Sequence, residues 1–158
     1  MITHDVAVPN VDVRGPRFAA WVTTVVLAAT LVLSAVDPAA AALVLGLQAV
    51  VFGIGATLGP RRHPYGRLFA AVIAPRLGPV TEREPVGPLK FAQLVGFVFA
   101  VLGTAGFALG APLLGTIATA FALFAAFLNA AFGICLGCQM YPVFQPVVAR
   151  LRRTHVTH

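Results

Sequence analysis

Phe91-Ala-Gln-Leu-Val-Gly-Phe-Val-Phe-Ala-Val-Leu-Gly-Thr-Ala-Gly-Phe-Ala-Leu109 carries no charge, and no Asp, Glu, Lys, Arg or His follows it before Arg150. A helix crosses a hydrocarbon core in about 20 residues, so this uncharged run is too long for one crossing and must fold back. Gly110-Ala111-Pro112 supplies the turn. Two spans follow, over residues 91–109 and 113–134.

Outward from this hairpin the pattern repeats. Residues 18–36 and 39–58 are two more uncharged runs of spanning length, parted by the helix breaker Asp37-Pro38, with Trp21 near one interface. Of the 158 residues 59% are hydrophobic and 10% charged, and the mean hydropathy is +0.90. A soluble domain is closer to half apolar. The expected fold is an all-α membrane protein, a four-helix transmembrane bundle forming one domain over residues 1–158.

The polar segments fit around these spans. Residues 1–17, with His4 and Asp5, lack the apolar core and cleavage site of a secretory signal and read as a lead-in ordered against the bundle. Gly59-Pro-Arg-Arg-His-Pro64 ends the second span. Tyr65, Leu68, Phe69, Val72 and Ile73 then share one face of a short helix, residues 65–74, suited to lie in the interface with Arg67 and Arg76 at its edges. Residues 75–88, rich in Pro and Gly, read as a surface loop.

All eleven Lys and Arg residues fall on one side of this topology. That side should be cytosolic, which puts both termini inside the cell and the protein in the inner (plasma) membrane. The net charge of +6 therefore reads as topology and headgroup contact, not as nucleic-acid binding. Small residues at four-residue intervals, Ala92, Gly96, Ala100 and Thr104 in the third span and Ala118, Ala122, Ala126 and Ala130 in the fourth, suit close helix packing. Phe97, Phe99, Phe121, Phe124 and Phe127 then fill grooves or meet lipid.

Gln48, Gln93 and Asn129 are the larger polar groups at membrane depth and should face the bundle, because an unpaired amide in hydrocarbon is costly. Asp37 has the setting of a helix cap. His63 can approach the far end of the fourth span, but capping the short helix suits it better. His155 and His158 receive no role. No phosphate loop, nucleophile-base-acid set or carboxylate pair is present, no cofactor is called for, and Glu82 and Glu84 read as solvated.

The chemistry concentrates in Cys135 and Cys138, the only cysteines. Cys-x-x-Cys can exchange disulfides, relay sulfur, or supply two of the four ligands of a Zn²⁺ site, with His63 or a second protomer of a homo-oligomer completing it. Buried, inert thiols in a membrane anchor are the alternative. If the fourth span continued through the pair, the thiols would sit at the negative end of a helix, which disfavours thiolate. Gly133, Gly137 and Pro142 can end or kink it, and Pro146 can start a new helix through Arg150, Arg152 and Arg153. Arg61 and Arg62 would favour thiolate if they fold close by. Asn129 precedes Cys135 by six residues, about 120° around a continuous helix, so a shared face is not implied and an interhelical hydrogen bond is its expected role.

Val11-Asp-Val-Arg-Gly-Pro-Arg-Phe18, Gly59-Pro-Arg-Arg-His-Pro-Tyr-Gly-Arg67, Phe91-Ala-Gln-Leu-Val-Gly96 and Leu128-Asn-Ala-Ala-Phe-Gly-Ile-Cys-Leu-Gly-Cys-Gln-Met-Tyr141 together resemble the DUF4395 family of small bacterial membrane proteins, with an actinobacterial flavour. The resemblance maps the family pattern onto Asn129, Cys135, Cys138 and Tyr141. It implies association with thioredoxin-like or sulfurtransferase proteins. The combined expectation is a membrane protein whose cytosolic-face dithiol exchanges electrons or sulfur with a soluble partner.

Overall fold

The computed structural model describes residues 9–154, so His4, Asp5, His155 and His158 lie outside the described residues. Four helices are long and apolar enough to cross a membrane: α1 (Arg14–Ser34), α2 (Pro38–Leu58) and, after the short α3 (Pro64–Leu68), α4 (Val86–Ala108) and α5 (Pro112–Phe132). A further helix, α6 (Leu136–Thr154), follows them. The architecture is an all-α bundle.

The two tight turns form where the sequence allows no helix. Asp37 caps α2, its Oδ1 accepting from the Ala39 and Ala40 N–H groups at 3.0 and 3.1 Å, and Pro38 takes the first helical position, where a missing N–H costs nothing. Gly110 adopts φ +77°, a left-handed conformation that glycine enters freely, and Pro112 starts α5. Each hairpin is thus set by its turn residues.

Side by side, α1 packs on α2 and α5, and α4 packs on the same two helices, closing a four-sided bundle. Small residues set the spacing between these helices. Gly96 lies under the Phe52 ring, and a Cβ added to Gly106 would come within 2.5 Å of the Gly115 nitrogen. Ala100, Ala118, Ala122 and Ala130 are buried, around a core centred on Leu27 and Leu45. Lipid gives apolar helices little drive to associate, so this close backbone approach and the dispersion it allows hold the bundle together.

Three features differ from the sequence expectation. First, α4 starts at Val86, inside the expected loop, because Pro88 falls in its first turn, where proline is tolerated. Second, the segment after Pro64 is not one regular helix: α3 passes into a π-helical turn over Phe69–Ile73 and a 3₁₀ turn over Ala74–Arg76. Its apolar face consequently splits, with Phe69 buried against Gly15 and Phe18 of α1 while Leu68 and Val72 stay exposed. Third, β1 (Asn10–Asp12) pairs antiparallel with β2 (Arg83–Pro85), Val11 opposite Glu84. This ribbon ties the lead-in to the loop, and Arg14 strengthens it by pairing with Asp12 at 2.8 Å and donating to the Gly78 carbonyl. The Arg14 guanidinium holds the Asp12 carboxyl below its ordinary pKa.

The start of α1, the end of α2, the start of α4 and the end of α5 meet at one end of the bundle. Arg14, Arg17, Arg61, Arg62, Arg67, Arg76, Arg83 and Lys90 belong to segments at that end, and α6, with Arg150, departs from it.

Candidate functional site

Gly133 ends α5 with φ +68°, and its N–H returns to the Asn129 carbonyl while the Ile134 N–H returns to Leu128. This is a glycine-dependent helix stop of the αL type, with the Gly133 N–H bonded four residues back. After two intervening residues α6 begins at Leu136, so Cys135 precedes the first residue of a new helix and does not end the old one. Gly133 ends the fourth span, one of the breaks the sequence offered, but the new helix does not wait for Pro146: α6 runs through both Pro142 and Pro146.

Cys135 and Cys138 are joined by a disulfide, their Cα atoms 5.2 Å apart, and both are half-buried. The Cys138 N–H donates to the Cys135 sulfur at 3.3 Å. Gly137 lets α6 seat here, since a Cβ at that position would come within 2.6 Å of the Ala92 Cα. Tyr141 anchors the next turn, its ring 5.9 Å from Phe91 and its hydroxyl beside Gly87. It positions α6 on α4.

Two cavities adjoin the disulfide. A cleft of about 290 Å³ at the end of the bundle exposes both cysteines beside Glu84, Pro88 and Gln139. Glu84 is half-buried, and burial raises its carboxyl pKa, with Glu82 adding to the effect and Arg17 opposing it. It is not a freely solvated carboxylate, contrary to the sequence reading. A second, mostly apolar cavity of about 330 Å³ runs between the helices from Cys135 past Asn129 and Gln93 to Phe121. Because the helix breaks at Gly133, Asn129 and Cys135 share this cavity. Among the described residues the Asn129 side chain makes no hydrogen bond, so the expected interhelical bond is not formed.

The other candidate residues sit apart from the thiols. Arg61 donates to the Asn10 carbonyl at 3.3 Å, and Arg61 and Arg62 line a different cleft, so neither joins the cysteines. The cation beside the break is Arg17, whose guanidinium carbon would lie 3.9 Å from a Cβ at Gly133. His63 holds the N-cap position of α3 but makes no side-chain cap. Its ring turns inward against Gly55 and Gln93, 2% exposed, and lines a cavity of about 320 Å³ that the cysteines do not border. Gln93 lies close enough to raise the imidazole pKa, yet neither ring nitrogen nor the Gln93 Oε1 has a formed hydrogen bond, and burial dominates, pushing the ring down to about 4. Gln48 does pair as expected, accepting from the Tyr65 hydroxyl at 2.7 Å.

Among the described residues, no group of three or more His, Cys, Asp or Glu side chains is placed to hold a metal ion. Arg17 and Glu84 are the neighbours that sequence reasoning did not bring to the thiols, whereas Gln93, expected to face the bundle, does so. The only sequence signal for Arg17 is a cation at the rim of an uncharged span.

Comparison with known proteins adds one match. The DUF4395 family, described as a domain of unknown function, covers residues 11–146. No curated protein and no solved structure matches the chain.

Proposed function

The chain belongs to the DUF4395 family, and from that membership and the geometry at Cys135 we propose a plasma-membrane protein whose dithiol exchanges electrons or sulfur with a soluble thiol protein on the cytosolic side. One observation carries the reading: the break at Gly133 places Cys135 at the start of α6, with a backbone N–H directed at its sulfur. The partial positive charge of a helix N-terminus stabilises thiolate, the form that attacks. The cleft gives a partner access to both sulfurs from the basic end of the bundle.

In the exchange, reduced Cys135 attacks the partner's disulfide as thiolate and displaces one of its sulfurs, forming a mixed disulfide. Cys138 then attacks the Cys135 sulfur and releases the partner as a dithiol. This chain is oxidised by two electrons and the partner is reduced by two. The exchange is reversible, and a partner dithiol attacking the Cys135–Cys138 disulfide runs it the other way, reducing this chain by two electrons and oxidising the partner. Glu84, which lines the same cleft and whose carboxyl pKa is raised by burial, takes the Cys138 proton. A sulfane-sulfur donor enters the same way, leaving a persulfide on Cys135 that Cys138 resolves to disulfide and sulfide.

A thioredoxin-type partner oxidised to a mixed disulfide with a chromogenic thiol tests the order of events. Reduced Cys138→Ser should displace the chromogen and accumulate a stable conjugate through Cys135. Cys135→Ser should form it at least tenfold more slowly. Equal trapping by both variants would remove the assigned order. No trapping, with neither thiol alkylated unless denaturant is added, would sink exchange chemistry altogether.

A further inference from the structure

We propose that the apolar cavity beside Cys135 binds the ring of a lipid-soluble quinone and that the dithiol is oxidised by it. The inference rests on the exchange reading, taken in the direction in which the soluble partner's dithiol reduces the disulfide, and supplies the acceptor for those electrons. Cys135 borders two unlike spaces: the cleft at the basic end, which a soluble protein can reach, and the inter-helix cavity, which leads to membrane depth. A disulfide that faces both is placed to pass electrons between a water-soluble and a lipid-soluble carrier.

The cavity's dimensions and chemistry select the class of carrier. At about 330 Å³ it lies at the small end of ligand-site volumes and accommodates one or two fused rings. Phe121 and Phe124, more than half exposed near the middle of α5, form an edge that opens toward lipid, where an isoprenoid tail would lie. Phe99 stacks on Phe121 with centroids 6.0 Å apart, giving a flat aromatic wall. Besides Cys135 the polar side chains are two amides, Asn129 near Cys135 and Gln93 deeper, and the Thr23 hydroxyl, with no charged side chain in the lining. A neutral ring with oxygens at its opposite ends suits that set better than any ion.

Asn129 is the amide left open to a ligand: its side chain makes no hydrogen bond among the described residues, whereas the Gln93 Oε1 is turned toward Gly55 and the His63 ring. Leaving an amide unpaired in mostly apolar surroundings is costly, and a bound ring oxygen would remove the penalty. A carboxamide can donate to a quinone carbonyl and accept from a quinol hydroxyl, so it serves both redox states.

The step balances without a further reactant. Two S–H bonds break and one S–S bond forms; the two quinone carbonyls become hydroxyls, taking up the two electrons and two protons that the thiols release. Product quinol leaves into lipid, and the disulfide is left for the soluble partner to reduce.

The test uses the reduced full-length protein in nanodiscs without oxygen, with decyl-ubiquinone as probe because its fully substituted ring resists thiol addition. Quinone loss is followed by absorbance and thiol loss by alkylation, and parallel samples receive a water-soluble aromatic disulfide. The expected result is one quinone reduced per disulfide formed, abolished in Cys135→Ser. In Ala126→Trp, which fills the cavity, and in Asn129→Leu, the quinone rate divided by the aqueous-disulfide rate should fall at least tenfold. Oxidation by the aqueous disulfide but not by quinone would overturn this proposal and leave the exchange reading standing. An unchanged ratio in both variants would overturn the cavity as the site. Oxidation by neither reagent would remove both readings.

Discussion

His63 shows how a single buried group ties stability to pH. Its ring fills the space beside Gly55, where an added Cβ would come within 2.6 Å of the ring, and it meets Tyr65 edge to face at 5.2 Å. Burial holds the imidazole neutral, with a pKa of about 4 against an ordinary 6.5. Between those values the unfolded chain binds more protons than the folded one, so stability rises with pH across the interval. The contribution is complete above about pH 6.5 and is lost as pH falls toward 4, on the order of 3 kcal/mol at most. His63→Leu should flatten the change in melting temperature in detergent between pH 7 and pH 4.5, and a slope equal to that of the parent would show that another group titrates. The sequence placed His63 at a helix start, and that position is right. It could not tell that the ring turns inward, because that depends on how the chain folds back onto the vacancy at Gly55 in the preceding helix and on the neighbour Gln93 from a distant one.

The turn from α5 into α6 decides what the cysteines can do. A left-handed Gly133 stops one helix, and the next begins beside Cys135. Gly133→Ala should cost roughly 1–2 kcal/mol by forcing an L residue into that region. If the substitution favours helical continuation, it also removes the N-terminal N–H groups from the Cys135 sulfur. Alkylation of the reduced protein at neutral pH should then slow severalfold; an unchanged rate in a folded variant would show that the helix start does not activate the thiol. The four long helices were legible because each is an uncharged run of membrane length flanked by breakers. The start of α6 was hidden, since residues 91–149 carry no charge to mark a boundary and Pro146 was the more visible signal. The β1–β2 ribbon was invisible for another reason: three-residue strands have no periodicity to read, and their pairing follows from the bundle bringing the starts of α1 and α4 to the same end. Glu84 accordingly read as solvated although the ribbon carries it to the thiols.

At the level of the whole protein the basic residues and the disulfide share one end of the bundle, while Asp37-Pro38 and Gly110-Ala111 turn at the other. Exposed Val25, Leu43, Val50, Val98 and Ile117 lie along the outer faces between the two ends, as a lipid-facing surface requires. Cationic residues are retained on the cytosolic side during insertion, and here no Lys or Arg opposes that orientation. If the reading is right, the thiols meet the reducing cytosol and any soluble partner is cytosolic. In a background with both native cysteines replaced by serine, Arg62→Cys should label with a membrane-impermeant maleimide in inside-out vesicles only. Ala111→Cys, in the exposed turn at the opposite end, should label in right-side-out vesicles only. The two reporters control for each other, because a leaky preparation labels both in either vesicle. The reversed pattern would place the disulfide outside the cytosol and move the soluble partner to an oxidising compartment, where electrons would still pass from thiol to membrane but from a different donor.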